Sequence, residues 1–201
     1  MPIDTAIFGQ WLDSRPIIVA LAGPNGAGKS TFYDSFLTNI GLRFVNADVL
    51  SLSLQLDPYV AAELANSIRN QLIDRHESFI FETVFSDPAG EKLEFLKKAE
   101  DEGYTVVLIF IGIDGVAISD QRVSMRVASG GHDVPREKLR QRFSRTMENV
   151  RRALNELKNV MVFDHSDLAA GYRAVLLRQE GEIVWKSRNV PRWLKPLLRK
   201  G

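Results

Sequence analysis

Apolar and polar positions along the chain fall into blocks whose period switches between strand-like and helix-like. "PIIVALAG" (16–23) is a β-branched-rich apolar run closed by glycine, the pattern of a strand buried on both faces. A helix is expected from Lys29. "LRFVNAD" (42–48) predicts a second strand, "YVAAELANSIRNQLIDR" (59–75) a helix after Pro58, and "SFIFETVF" (78–85) a third strand. Helix 89–103, strand 104–113 ("YTVVLIFIGI") and helix 115–129 follow. A long helix then runs to about Lys158 and leads into the strand "VMVFD" (160–164). "YRAVLLRQEGEIVWKS" (172–187) predicts a hairpin turning at Glu180-Gly181, and "PRWLKPLLRK" (191–200) a short terminal helix.

Five strands separated by helices imply parallel βαβ units. The expected fold is an α/β, P-loop NTPase-type open sheet, mainly parallel, with helices on both faces and a C-terminal β-hairpin. Ligands of such sheets bind beyond the carboxyl ends of the strands. Residues just after each strand are therefore the ones to read for chemistry.

At 201 residues the chain is most simply one domain, with a helical N-terminal extension over 1–15. It has no cysteine, which excludes disulfides and thiolate metal sites and fits a reducing, cytoplasmic setting. Neither a signal-peptide pattern nor an apolar run long enough to span a bilayer is seen, so no membrane association is expected. A net charge of +1 does not indicate nucleic acid as a partner. Local charge is more informative: of seventeen arginines, eight lie between Arg122 and Arg152.

"GPNGAGKS", from Gly23 through Pro24, Asn25, Gly26, Ala27 and Gly28 to Lys29 and Ser30, fits the phosphate-binding loop G-x-x-x-x-G-K-[ST] and sits between a predicted strand and a predicted helix. Its glycines allow backbone N–H groups to converge on ATP phosphates. Lys29 is expected at the β and γ oxygens and the Ser30 hydroxyl on Mg²⁺, with Thr31, the next residue, as a further candidate to bind ATP. On the second strand Asn46 and Asp48 are two apart, so an extended segment points both the same way. Asp48 is the candidate base for an acceptor hydroxyl, although Asp is also favoured as a helix N-cap. Glu82 takes the same station on the third strand, either as a site acid or as a buried carboxylate bonded to nearby backbone. Asp114 reads as a turn residue.

Around "SGGHDVPREKLRQRF" (129–143), Asp133 is expected to cap a helix that begins with Val134 and Pro135. Leu139, Phe143, Met147, Val150, Leu154 and Leu157 form its buried stripe. Arg145 and Arg152 fall on the solvent face, whereas Arg136, Arg140 and Arg142 border the core. Gly130 and Gly131 suggest a hinged lid over 129–142. Arg126 and Arg142 are the candidates to neutralise a transferred phosphoryl group. His132 either bonds substrate or closes the loop.

"AGPNGAGKST", "VNAD", "FETVFS", "RVSMRV", "GGHDVP" and "RFSRTMENV", in this order, resemble the zeta toxin family of P-loop kinases. The resemblance implies ATP-dependent phosphorylation of a hydroxyl on a sugar or nucleotide sugar such as UDP-N-acetylglucosamine. It implies Asp48 as base, Lys29 as phosphate lysine, Arg126 and Arg142 as phosphate clamps (Arg122 also fits the repeated "RV"), and Glu82 with Thr83 at the acceptor. An antitoxin protein is the partner such a family member implies. "FDHS" (163–166) stands where the family often has Tyr-Asp-Asn-Ser. The alternatives are a nucleotide-gated binding protein or a metabolic kinase with a non-nucleotide acceptor.

Overall fold

In a computed structural model, which describes residues 10–128 and 135–198, the predicted apolar runs become the strands of one sheet. In chain order the elements are β1 (Ile17–Ala22), a helical run that opens as α1 (Lys29–Phe32), β2 (Arg43–Val45), α2 (Ala47–Leu54), α3 (Pro58–Asp74) and β3 (Phe79–Thr83). They continue with α4 (Glu91–Asp101), β4 (Thr105–Gly112), α5 (Val116–Ala128), α6 (Arg136–Glu156), β5 (Asn159–Asp164), β6 (Arg173–Gln179) and β7 (Glu182–Lys186). Spatial order is β2-β3-β1-β4-β5-β6-β7. The first five strands are parallel; β6 and β7 add antiparallel as the expected hairpin, with Glu180 and Gly181 both at positive φ in its turn.

Every residue of β1 and β5 is buried, which is why these strands read as unbroken apolar runs rather than alternating ones. One face of the sheet packs on Leu72 of α3, Leu93 and Leu96 of α4, and Val150 and Leu154 of α6. The other packs on Trp11, Phe32 and Leu37, with Ile118 of α5 alongside. Helices therefore cover both faces. Among the described residues no helix is long and apolar enough to cross a membrane.

Several boundaries differ from expectation for local reasons. The second strand stops at Val45, not at residue 48, because the Asn46 side chain caps a new helix, accepting from the N–H groups of Asp48 (2.8 Å) and Val49 (3.2 Å). α2 was not anticipated, and Asp48 sits in its first turn instead of on an extended segment. α6 begins at Arg136 with Pro135 as its N-cap residue; Asp133 and Val134, like His132 and the glycine hinge, lie outside the described residues. Of the N-terminal extension only the part from residue 10 is described, and its Trp11 is buried. The C-terminal helix is a single 3-10 turn, Lys195–Leu198.

The wheel for α6 holds for its apolar stripe but misses two buried polar residues and misassigns three arginines, of which Arg140 is exposed instead of bordering the core. Thr146 and Asn149 are buried because both hydrogen-bond the loop after β3. Arg136 is largely exposed and pairs with Asp120 of α5 at 3.3 Å. Arg152 is not simply solvated: it pairs with Glu94 of α4 (2.9 Å) and lies on Gly90, where a Cβ would clash with its guanidinium.

Candidate active site

The parallel sheet brings the ends of β1, β2, β3, β4 and β5 to one edge, and the phosphate loop lies across it between β1 and α1. Gly28 is the N-cap of α1 in the left-handed region (φ 91°, ψ 25°). A side chain there would also meet the Tyr172 hydroxyl at 2.7 Å and the His165 ring at 2.9 Å, so only glycine fits. Pro24 and Ala27 are buried, Asn25 and Gly26 half-buried, and Ser30 and Thr31 exposed at the start of the helix, with Thr31 against the Tyr172 hydroxyl.

Register then decides which acid meets the loop. Leu21 of β1 pairs with Glu82, and the β2–β3 ladder ends at Val45↔Phe81, so Glu82 emerges between the phosphate loop and Asn46. Its carboxylate gathers three partners: the Ser30 hydroxyl donates at 3.1 Å, Asn46 Nδ2 donates at 2.9 Å, and Lys29 Nζ lies at 3.7 Å. Of the two readings left open for Glu82, the carboxylate belongs with side chains of the loop. Asn46 is committed at both ends, capping α2 through Oδ1 and holding Glu82 through Nδ2.

Lys29 is buried and also donates to the Pro24 carbonyl at 3.3 Å. Burial pushes its pKa below the ordinary lysine value; Glu82 and Asp48 oppose that shift and Arg126 adds to it. Asp48 and Arg126 therefore both lie within electrostatic reach of Lys29. Asp48 is exposed on α2, and Arg126 is exposed on the last turn of α5. Arg142 is half-buried near the start of α6. Thr83 is buried, its hydroxyl accepting from the Phe85 N–H at 2.9 Å. Asp114 is an exposed residue between β4 and α5, as a turn residue should be.

Two groups of residues were missed by sequence reasoning. Thr146 donates to the Val84 carbonyl at 2.8 Å, and Asn149 Nδ2 donates to the carbonyls of Phe85 (3.0 Å) and Asp87 (2.9 Å). These bonds fasten α6 to the loop leaving β3, where Phe85 adopts positive φ. The second group follows β5. Asp164 accepts from Ser166 (2.6 Å), Arg173 (2.8 Å) and the Trp193 indole (2.9 Å), and although burial alone would raise its pKa, these bonds hold it below the ordinary value. His165 is buried against the loop, and burial keeps its pKa below the usual imidazole range, so the ring is neutral at neutral pH. The rule that sites follow strand ends, applied to "FDHS", was the available signal for this group.

Comparison with known proteins gives concordant matches. A family model described as Zeta toxin matches residues 43–184, a span that begins after the phosphate loop. An uncharacterized protein of Haemophilus influenzae is 29% identical over 126 residues, covering 60% of this chain and 88% of that protein. Among solved structures, the AvrRxo1-ORF1:AvrRxo1-ORF2 complex with sulphate ions superposes with a TM-score of 0.66 at 18% identity, covering 87% of this chain and 62% of that one. The same complex with ATP gives 0.65 at 19% identity, again over 87% and 62%. A chain of the PezAT chromosomal toxin–antitoxin system of Streptococcus pneumoniae gives 0.59 at 14% identity, over 96% and 83%. At these identities the structural matches establish a shared α/β fold, and the chain spans less than two thirds of the AvrRxo1 chains it superposes on.

Proposed function

The chain belongs to the zeta toxin family, and from that premise we propose that it is an ATP-dependent kinase that transfers the γ-phosphate to a hydroxyl of a sugar or nucleotide sugar. The observation that carries this reading is the convergence of Lys29, Ser30 and Asn46 on Glu82 beside the phosphate loop, with Asp48 and Arg126 near Lys29. A glycine turn that merely joined a strand to a helix would not need a buried lysine and a paired acid.

The loop N–H groups hold the phosphate oxygens, and Lys29 shifts from the Pro24 carbonyl and Glu82 to the β- and γ-phosphates. The Ser30 hydroxyl with the Glu82 carboxylate is an all-oxygen donor set that suits Mg²⁺, which when bound offsets phosphate charge. The acceptor oxygen attacks the γ-phosphorus as the bond to the β–γ bridging oxygen breaks; ADP leaves with that electron pair, and Asp48 takes the acceptor's proton. In this reading Arg126 and Arg142 neutralise the transferred group, the 129–142 lid excludes water, Glu82 and Thr83 contact the acceptor, and His132 is a candidate to bond it. A protein partner of antitoxin type is part of the same proposal.

Incubation with ATP, Mg²⁺ and UDP-N-acetylglucosamine, followed by ³¹P NMR, should yield ADP and a new phosphomonoester. No acceptor-dependent ADP across a panel of sugars, nucleotide sugars and other metabolites would overturn the kinase reading. Co-expression with the product of the neighbouring reading frame tests the partner: a stable complex that blocks ATP binding is expected, and free, active kinase argues against it.

A further inference from the structure

Five successive carbonyls of the phosphate loop each accept a hydrogen bond from a different side chain. Pro24 O accepts from Lys29 Nζ (3.3 Å), Asn25 O from Ser119 Oγ (2.6 Å), and Gly26 O from Arg122 Nη1 (3.3 Å). Ala27 O is bonded by His165 Nδ1 (2.8 Å) and Gly28 O by the Tyr172 hydroxyl (2.6 Å). Apart from Lys29, the donors lie 94 to 144 residues away in sequence, on α5, after β5 and at the start of the hairpin.

In a planar trans peptide the C=O and the following N–H point in opposite directions. Anchoring the carbonyls of residues 25–28 on the outer side therefore turns the N–H groups of Gly26, Gly28 and Lys29 to the inner side, where phosphate oxygens go, while the Ala27 N–H donates within the loop to the Pro24 carbonyl at 3.1 Å. Two of the five also accept from backbone, Pro24 O from the Ala27 N–H (3.1 Å) and Gly28 O from the Phe32 N–H (2.9 Å), whereas those of Asn25, Gly26 and Ala27 are held by the distant side chains. Protein donors fix them before nucleotide arrives, which removes an ordering cost from binding and a reorganisation cost from transfer.

The last two donors form a unit. The His165 and Tyr172 rings stack at 4.0 Å, and Phe32 of α1 meets Tyr172 edge-on at 5.0 Å, so the helix that follows the loop holds the hydroxyl bonded to Gly28. Because Ala27 O can only accept, Nδ1 of His165 carries the hydrogen. Arg122 links the same layer, since its Nη2 donates to the Ser166 carbonyl at 3.0 Å.

We propose that His165 and Tyr172, with Ser119 and Arg122, are positioning residues that preset the phosphate loop by holding its carbonyls outward. The proposal rests on the kinase reading only in requiring that the loop bind nucleotide phosphate. It predicts that loss of one donor weakens phosphate binding whether or not adenosine is attached.

Tyr172→Phe keeps the ring and removes only the donor; His165→Leu removes the other donor; His165→Asn restores an N–H close to the position of Nδ1. Affinity for ATP and for inorganic tripolyphosphate, measured by calorimetry on the full chain, should fall about fivefold in each of the first two, the size expected for one hydrogen bond. His165→Asn should stay within about twofold of the parent. Unchanged affinity for both ligands, with or without a lower unfolding temperature, overturns the proposal. So does weakened ATP binding with undiminished tripolyphosphate binding, which would place the pair at the base instead. Should the parent protein bind neither ligand, the phosphate-loop reading fails along with it; failure in the variants alone leaves the kinase reading intact.

Discussion

The phosphate loop and the helix that carries Asp48 stand at neighbouring strand ends, yet they are held in opposite ways. The loop is anchored carbonyl by carbonyl from three distant elements, and its lysine is buried. α2 buries none of its eight residues and exposes Val49, Leu52 and Leu54; the Asn46 cap and the half-buried Ala47 and Leu50, which rest on the core, hold it. Glu82 is the hinge between them, bonded to Ser30 on one side and Asn46 on the other. A nucleotide triphosphate is the same in every reaction and suits a rigid cradle. In the proposed reaction an acceptor must enter and leave, and the side that carries Asp48 is the more exposed of the two.

Breaking the acceptor side at its carboxylate should have the largest effect. Asp48→Asn leaves the cap and the loop in place, so transfer should fall by on the order of 10³ while ATP affinity stays within about twofold. Single-turnover kinetics with calorimetry checks both, and equal losses in the two would mean that Asp48 serves the loop instead. Next is Asn149→Ala, which strands the carbonyls of Phe85 and Asp87 beneath α6. Chemical denaturation should show a loss of about 2 kcal/mol.

Asp164→Asn probes the frame behind the loop and has a definite pH signature. The folded carboxyl titrates below its ordinary value near 3.8, so its contribution is fully present above that value and disappears as pH falls through the folded value. The variant should therefore melt lower than the parent at pH 7, and the gap should close in acid below about pH 4. A gap that persists in acid would assign the loss to packing. Leu52→Ser should matter least: with the side chain 76% exposed, stability should shift by less than about 0.5 kcal/mol. A larger loss would show that α2 is not loosely held.

Periodicity was sufficient where local and tertiary preferences agree, as in the unbroken apolar runs of β1, β4 and β5 and the Glu180-Gly181 turn. It failed at "VNAD", where an apolar pair followed by polar residues suited a strand end and a cap alike. The side-chain bonds of Asn46 decide for the cap, and one of them reaches Glu82, thirty-six residues away. It was silent on α6, where the burial of Thr146 and Asn149 has no local signal because the carbonyls they satisfy lie more than sixty residues back. Arg152 was misread for the same reason, its partner Glu94 being on another helix.

By itself, then, the sequence determined the phosphate-loop motif, the order of the strands and of the helices other than α2, and the family, because these are carried by periodicities and motifs that are each local, the family by several of them in order. Only the tertiary structure decided that Glu82 would meet Lys29, Ser30 and Asn46, since strand register sets that meeting. It alone brought Ser119, Arg122, His165 and Tyr172 to the back of the loop. A loop's glycines permit a phosphate cradle, but the direction of each peptide is settled by what its carbonyl can bond, and those donors arrive only when the chain folds.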